Sequence, residues 1–224
     1  MKETIRILMT DDHPMILEGY QNTLLSTKKP QQELHIDTAN NCDQSVEAMY
    51  KSIHTEQPYD VLFIDIKMPP SEDGKYTSGE DLARLARKIL PKAKIVILTM
   101  FNETYRIHNI VEEFKPEGFL IKSDLTSREL ASAFQAILHH PPFYSGSVNR
   151  YLKQTIISDI YLDDKNRRIL YLLSQGIKTK NLAEHVDLSL SGVEKRKKQL
   201  KMLFAIEDGQ DETLIEEARK LGFI

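Results

Sequence analysis

Short apolar runs, each closed by a polar residue and followed by a helix-like segment, constrain this chain more than any other feature. Ile5-Arg6-Ile7-Leu8-Met9 leads into Asp11 and Asp12, and Val61-Leu62-Phe63-Ile64 ends at Asp65. Ile95-Val96-Ile97-Leu98 ends at Thr99, and Gly118-Phe119-Leu120-Ile121 at Lys122. A further strand-like segment, Leu34 to Ala39, follows the first helical one. Between these runs, apolar residues recur at helical spacing: Ile16, Leu17, Tyr20 and Leu24, then Val46, Met49, Tyr50 and Ile53. Leu82, Leu85, Ala86 and Ile89 repeat the pattern, as do Leu130, Phe134, Ile137 and Leu138, with a weaker helix from Tyr105 to Phe114. Five βα units result. Their strands are continuously apolar rather than alternating, which fits a parallel sheet covered on both faces by helices.

In such a sheet ligands bind at the carboxyl ends of the strands. Three carboxylates (Asp11, Asp12, Asp65), the Thr99 hydroxyl and the Lys122 ammonium gather at that edge. Ionised carboxylates in close company repel one another, and a hard divalent cation with oxygen preference relieves this; Mg²⁺ suits the set best. A carboxylate so placed can attack phosphorus, with Mg²⁺, Lys122 and Thr99 neutralising the phosphoryl oxygens. The plainer alternative is that each Asp caps the helix that follows it. For one residue the two readings weigh about equally, but five suitable residues at four strand ends favour the site.

The chain breaks at His139-His140-Pro141-Pro142 and Ser145-Gly146-Ser147, which marks a boundary. Val148, Tyr151, Leu152 and Ile156 suit a short connecting helix. From Asp163 the pattern is helical only, with segments near 163–174, 179–186, 190–204 and 211–220. Asp187-Leu188-Ser189 between the second and third is the short connection of a helix-turn-helix. Overall charge is −3, so composition alone does not announce nucleic acid. The local cluster Glu194-Lys195-Arg196-Lys197-Lys198-Gln199-Leu200-Lys201, with five cations and one anion, says more. A lone cysteine, Cys42, excludes an internal disulfide framework and fits a reducing cytoplasm. The start of the chain lacks a secretory apolar core, and no run reaches the ~20 apolar residues of a membrane span.

Asp11-Asp12, Asp65 with Met68-Pro69, Thr99 and Lys122 resemble the receiver domain of bacterial two-component response regulators. Asp-Asp-His-Pro at 11–14 and Ile-Leu-Thr-Met at 97–100 resemble the subfamily with a LuxR-type helix-turn-helix output. The resemblance implies an α/β, flavodoxin-like, doubly wound (βα)5 receiver over 1–138. A linker over 139–160 and a small all-α four-helix DNA-binding domain over 161–224 would follow. It implies that Asp65 accepts phosphate from a sensor histidine kinase, with self-phosphorylation and autodephosphorylation as the only chemistry. Asp12 and Asp65 would ligate Mg²⁺, Asp11 mostly through water, and Lys67 through its backbone carbonyl. Thr99 and Lys122 would bond the phosphoryl group. Phe119 stands at the switch-aromatic position, with a plain core role as the equal alternative. A cytoplasmic protein, homodimeric when active and bound to double-stranded DNA, is the expectation.

Residues Gly176, Leu182-Ala183, Val186, Ser189 to Glu194 and the ending 218–224 carry the output resemblance. The third helix would enter the major groove, with Glu194, Lys195 and Lys198 facing bases and Lys178, Lys180, Lys197 and Lys201 meeting phosphates. Ser191-Gly-Val-Glu194 also matches a capping box, which would tie Glu194 to the backbone. Both readings of Glu194 stand. Three features depart from the pattern: Gly192 in place of Thr, Arg196 in place of His, and a longer loop over 207–210. Gly192 should weaken the helix start by up to about 1 kcal/mol. The segment 69–79 is also longer than the family's usual loop, either as a partial lid or as a tolerated insertion, which the small cost of loop lengthening favours. An aspartate-nucleophile phosphatase, a flavin-binding protein of like topology and a protein-binding tail are the rival readings. Against the first, Lys67 and His13 stand where the phosphatase wants a second acid; against the second, Asp11-Asp12 would repel a flavin phosphate.

Overall fold

The computed structural model describes residues 3–100, 104–157, 162–204, 206, 209–221 and 223–224. The chain divides into two compact units, one of Met1–Phe101 with Ile110–Val148, the other chiefly Asn149–Ile224.

The first unit is built on a parallel sheet. Its strands are β1 (Glu3–Thr10), β2 (Gln32–Ala39), β3 (Val61–Asp65), β4 (Lys94–Thr99), β5 (Gly118–Ile121) and β6 (Phe143–Tyr144), in the order β2-β1-β3-β4-β5-β6. Helices α1 (Pro14–Thr27), α2 (Cys42–His54), α3 (Gly79–Ile89), α4 (Thr104–Phe114) and α5 (Ser127–His139) connect the first five strands and follow the fifth. This is the doubly wound α/β fold expected from the apolar runs. Every residue of β3 and β5 is buried, as two-sided cover requires. On one face Ile7, Met9, Phe63, Val96, Leu98 and Leu120 join Leu17 and Leu24 of α1 and Leu130, Phe134 and Ile137 of α5 in one core. Residues of opposite parity, among them Leu8, Leu62, Ile64 and Phe119, are as deeply buried.

Local chemistry sets the helix starts. Pro14 opens α1, where a missing N–H costs nothing. The Asn41 side chain accepts from Gln44 N–H at α2, and Thr126 and Glu129 form a reciprocal capping box at α5.

The sixth strand lies inside the segment expected to be linker. Phe143 N–H donates to Glu117 O (2.9 Å) and Ser145 N–H to Phe119 O (2.9 Å), extending the sheet beyond β5. Two residues between prolines and a Ser-Gly stretch are too short to show periodicity, so sequence pattern gives no strand signal there. Helix α6 (Gly146–Ile157) follows, and the division between the two units falls within it.

The second unit holds α7 (Asp164–Ser174), α8 (Thr179–Val186), α9 (Leu190–Leu203) and α10 (Asp211–Lys220). Their apolar faces meet in a single core that includes Ile169, Leu182, Val193, Leu200 and Leu214, and Phe204 stacks on Phe223 at 5.5 Å. Gly176 (φ +78°) permits the turn out of α7, and Asp187 (φ 52°) takes the left-handed conformation that ends α8. Of the longer loop noted above, Glu207 and Asp208 lie outside the described residues, as does Gly222 of the chain ending.

Candidate functional site

Strand register brings the polar run-ends to one edge. Thr10 pairs with Ile64, Ile64 with Ile97, Asp65 with Leu98, and Thr99 with Ile121. Asp11, Asp65, Thr99 and Lys122 therefore leave the sheet side by side. Strand order reverses between β1 and β3, the position where open α/β sheets bind ligands.

Lys122 Nζ lies between two carboxylates, donating to Asp11 Oδ2 (2.6 Å) and Asp65 Oδ2 (2.7 Å). All three side chains are at most 5% exposed, so this is a buried three-membered charge cluster. Asp65 Oδ1 accepts from Lys67 N–H (3.3 Å), while the Lys67 side chain is exposed. Asp11 Oδ1 accepts from His13 N–H (3.1 Å). Burial raises the Asp65 carboxyl above the ordinary carboxylate value; Lys122 opposes this, and the Asp11 charge adds to it. For Lys122, burial favours the neutral amine, but hydrogen bonds from its ammonium to Asp11 and Asp65 outweigh burial and hold its pKa above the usual lysine value. Burial first, then the charges of Asp11 and Asp65, push the Tyr20 phenol up to about 12.

Asp12 Oδ1 is buried and has no hydrogen-bond partner, though His13 Nδ1 stands 2.6 Å from it. Atoms of Asp11, Asp12, His13 and Asp65 fall within 4.8 Å of one another. The three carboxylates in this arrangement could hold a metal ion. Thr99, the last residue of β4, and Phe119, the second residue of β5, are both buried. Sequence reasoning did not assign His13 or Tyr20 to the site: helical spacing put Tyr20 on a core face, and His13 entered only in the Asp-Asp-His-Pro string and as an argument against a phosphatase.

The long 69–79 loop is internally knit. Ser71 N–H donates to Tyr76 O (2.7 Å), Ser71 Oγ to Asp73 Oδ1 (2.6 Å), and Glu72 N–H to Asp43 Oδ2 of α2 (3.1 Å). It delivers Gly79 directly onto the end of β3. Gly79 N–H donates to Ile66 O (3.0 Å), and a Cβ at Gly79 would stand 1.9 Å from the Asp65 carbonyl oxygen.

In the second unit α8 and α9 form the expected helix-turn-helix. Glu194, Lys195, Lys198, Lys178 and Lys180 are all exposed. Of the two readings of Glu194, the capping box with Ser191 is not formed: α9 begins one residue after Ser189, whose Oγ accepts from Gly192 N–H (3.2 Å). Ser191 is already inside the helix, and that register leaves Glu194 on the exposed surface. Lys197 and Lys201 differ from the expectation of outward phosphate contacts. Lys197 Nζ donates to Thr179 Oγ1 (2.6 Å) and Asp211 Oδ2 (2.5 Å), and Lys201 Nζ reaches Asp211 Oδ1 (2.7 Å). Arg196 is also engaged, with Nη1 on Asp163 Oδ2 (2.6 Å) and Asn166 Oδ1 (2.9 Å), clamping α9 to the start of α7. Among the described residues no helix is long and apolar enough to cross a membrane.

An acid-lined, lysine-bridged strand edge on a doubly wound sheet defines a receiver. The response regulator receiver domain model matches residues 7–135, and the chain belongs to that family. The oxygen regulatory protein NreC of Staphylococcus carnosus is 28% identical over 86% of this chain and 88% of its own length. The transcriptional regulatory protein MctR of Rhizobium johnstonii is 26% identical over 90% of this chain and 88% of its own. The fold is also that of RcsB from Salmonella enterica serovar Typhimurium, solved bound to promoter P1flhDC with the phosphomimetic BeF3−. Its TM-score is 0.62 at 22% identity, covering 96% of this chain and 98% of that one.

Proposed function

We propose that this chain is a phosphorylation-dependent transcriptional response regulator in which Asp65 accepts the phosphoryl group and the helical unit binds duplex DNA. The observation that carries the reading is the Lys122 ammonium held between buried Asp11 and Asp65, with the Asp12 carboxylate in the same cluster. That arrangement has one acid to be modified, a cation ready to transfer to a phosphoryl oxygen, and further carboxylates suited to a metal. Asp11, Asp12, Asp65 and the Lys67 carbonyl would hold Mg²⁺, which when bound neutralises charge on the transferring phosphoryl group. A sensor kinase's phosphohistidine donates: its P–N bond breaks as an Asp65 oxygen bonds to phosphorus. Lys122 then turns from the Asp65 carboxylate to a phosphoryl oxygen, and the Thr99 hydroxyl approaches another. Movement of Thr99 frees space for Phe119 to change rotamer, shifting the receiver between two conformations that the output unit senses.

On the output side α9 enters the major groove. Lys195, Lys198 and the freed Glu194 address bases, while Lys178 and Lys180 meet phosphates. A single such unit covers little DNA, so paired half-sites read by a homodimer in the cytoplasm complete the reading.

A small-molecule phosphodonor with Mg²⁺ is expected to label the wild-type chain and not Asp65→Asn; retained label would remove Asp65 from this role. In gel shifts on a selected DNA site, Lys195→Ala with Lys198→Ala should lose about 1–3 kcal/mol of base discrimination per lysine. Labelling of that variant at the wild-type rate shows an intact receiver, and unchanged discrimination would exclude these lysines from base contact.

A further inference from the structure

Of the five cations between Lys195 and Lys201, three are committed inside the domain, and two of those converge on one carboxylate. Asp211, the first residue of α10, receives Lys197 at 2.5 Å on Oδ2 and Lys201 at 2.7 Å on Oδ1. Lys197 also holds Thr179 Oγ1, the first side chain of α8, at 2.6 Å, and Lys201 also holds Gly209 O at 2.5 Å. Burial opposes ionisation of Asp211, yet hydrogen bonds from the two lysines outweigh it and keep the carboxyl below its ordinary value. The result is a doubly liganded anion seated in two ammonium groups, with a hydroxyl at the start of the first helix of a helix-turn-helix.

Two ammonium groups and a hydroxyl make a suitable cradle for a phosphate oxygen pair. We infer that Asp211 occupies, as an internal substitute, a cradle formed by Thr179, Lys197 and Lys201 for a backbone phosphate of DNA. This rests on the DNA-binding reading above and assigns Asp211 a role in setting its specificity. Asp211 is covalently present, so it competes with every phosphate regardless of base sequence. Non-specific binding is therefore weakened by the withheld lysines, while base contacts through Lys195 and Lys198 are untouched. A site whose base contacts seat α9 deeply can bring its phosphate against the cradle and displace the carboxylate; a random sequence cannot. Specificity rises because the cost falls mainly on wrong sites.

The alternative is a strut: Asp211 simply ties α9 to α10, and removing it loosens the recognition helix. The two roles predict opposite signs. Full-length wild type, Asp211→Asn and Asp211→Ser are compared on a short random-sequence duplex over a range of salt concentrations, with thermal melts as the folding check. Each lysine released onto phosphate steepens the log K against log salt slope by about 0.9, so both together steepen it by about 1.8. The variants' affinity advantage over wild type then grows about tenfold as salt falls from about 200 to about 50 mM. Adding Lys197→Met and Lys201→Met to Asp211→Asn should return the slope to that of wild type. Glu216→Gln, which removes the same charge from exposed α10 surface, should leave the slope unchanged.

Weaker binding or an unchanged slope in both folded Asp211 variants overturns the inference in favour of the strut. A gain that survives loss of both lysines, or that Glu216→Gln reproduces, overturns it in favour of net charge. If neither wild type nor the variants bind DNA at any salt, the proposed function falls and this inference with it. Binding by all at equal affinity and slope removes the inference alone.

Discussion

Lys122→Met is expected to destabilise the receiver by about 3–5 kcal/mol in metal-free buffer, because it leaves two buried carboxylates with their shared counter-charge removed. Methionine keeps an unbranched chain of similar length, so packing changes little and the loss reports electrostatics. The pH dependence has a definite sign. Asp65 already has a folded-state pKa above its ordinary value, and losing Lys122 removes the group that opposes that rise. A carboxyl whose pKa is raised on folding takes up its proton more readily in the folded chain than in the unfolded one. The penalty in Lys122→Met is therefore full above the raised folded value and shrinks as pH falls through it toward the unfolded value. Addition of Mg²⁺ should recover part of the loss at neutral pH, since a cation among the same carboxylates replaces the missing charge. Chemical denaturation at several pH values, with and without Mg²⁺, reads both effects. A variant as stable as wild type at neutral pH without metal would show that the cluster is not held by its lysine.

Gly79→Ala is expected to cost about 3 kcal/mol, the upper end for an overpacked site, and to lower the melting temperature by about 10 °C. The added Cβ would fall 1.9 Å from the Asp65 carbonyl oxygen, 2.8 Å from its carbonyl carbon and 2.9 Å from Ile66 Cα. These are backbone atoms at the end of a central strand, so no side-chain rotamer can relieve the contact. Either α3 moves off the sheet, losing the Gly79 N–H to Ile66 O bond, or the end of β3 moves and carries Asp65 with it. A shift of about 1 Å at a reacting group can lower a rate by about a hundredfold. Labelling by a small-molecule phosphodonor should therefore fall by that order at a temperature where the variant is folded. Wild-type labelling in a destabilised Gly79→Ala would show that α3, not β3, gives way.

The loop before Gly79 adds to this picture. Its length suggested either a lid or a tolerated insertion, and the structure shows a segment closed on itself by Ser71, Asp73 and Tyr76 and tied to Asp43. Closing the excursion internally lets the extra residues be carried without moving Gly79 from its seat. The departure in the output unit works in a similar way. Arg196, standing where the resemblance leads one to expect histidine, reaches both Asp163 and Asn166 and fixes α9 on α7.

The sequence by itself determined the elements and their order. Apolar runs and helical spacing are local records of burial, and they placed β1 to β5, α7 to α10 and the strand ends carrying Asp11, Asp65, Thr99 and Lys122. The strand ends already put Asp11, Asp65, Thr99 and Lys122 at one edge; only tertiary structure decided which polar groups bond to which. Lys122 lies 111 residues from Asp11 yet bridges it to Asp65, and Lys197 is 14 from the carboxylate that captures it, with nothing in its own neighbourhood to mark that partner. The sixth strand exists only because β5 offers it an edge. Whether Ser189 or Ser191 caps α9 turned on the register in which Val193 and Leu200 reach the core. Periodicity encodes how far each residue lies from water, whereas the pairing of charges depends on distances that exist only once the elements have packed.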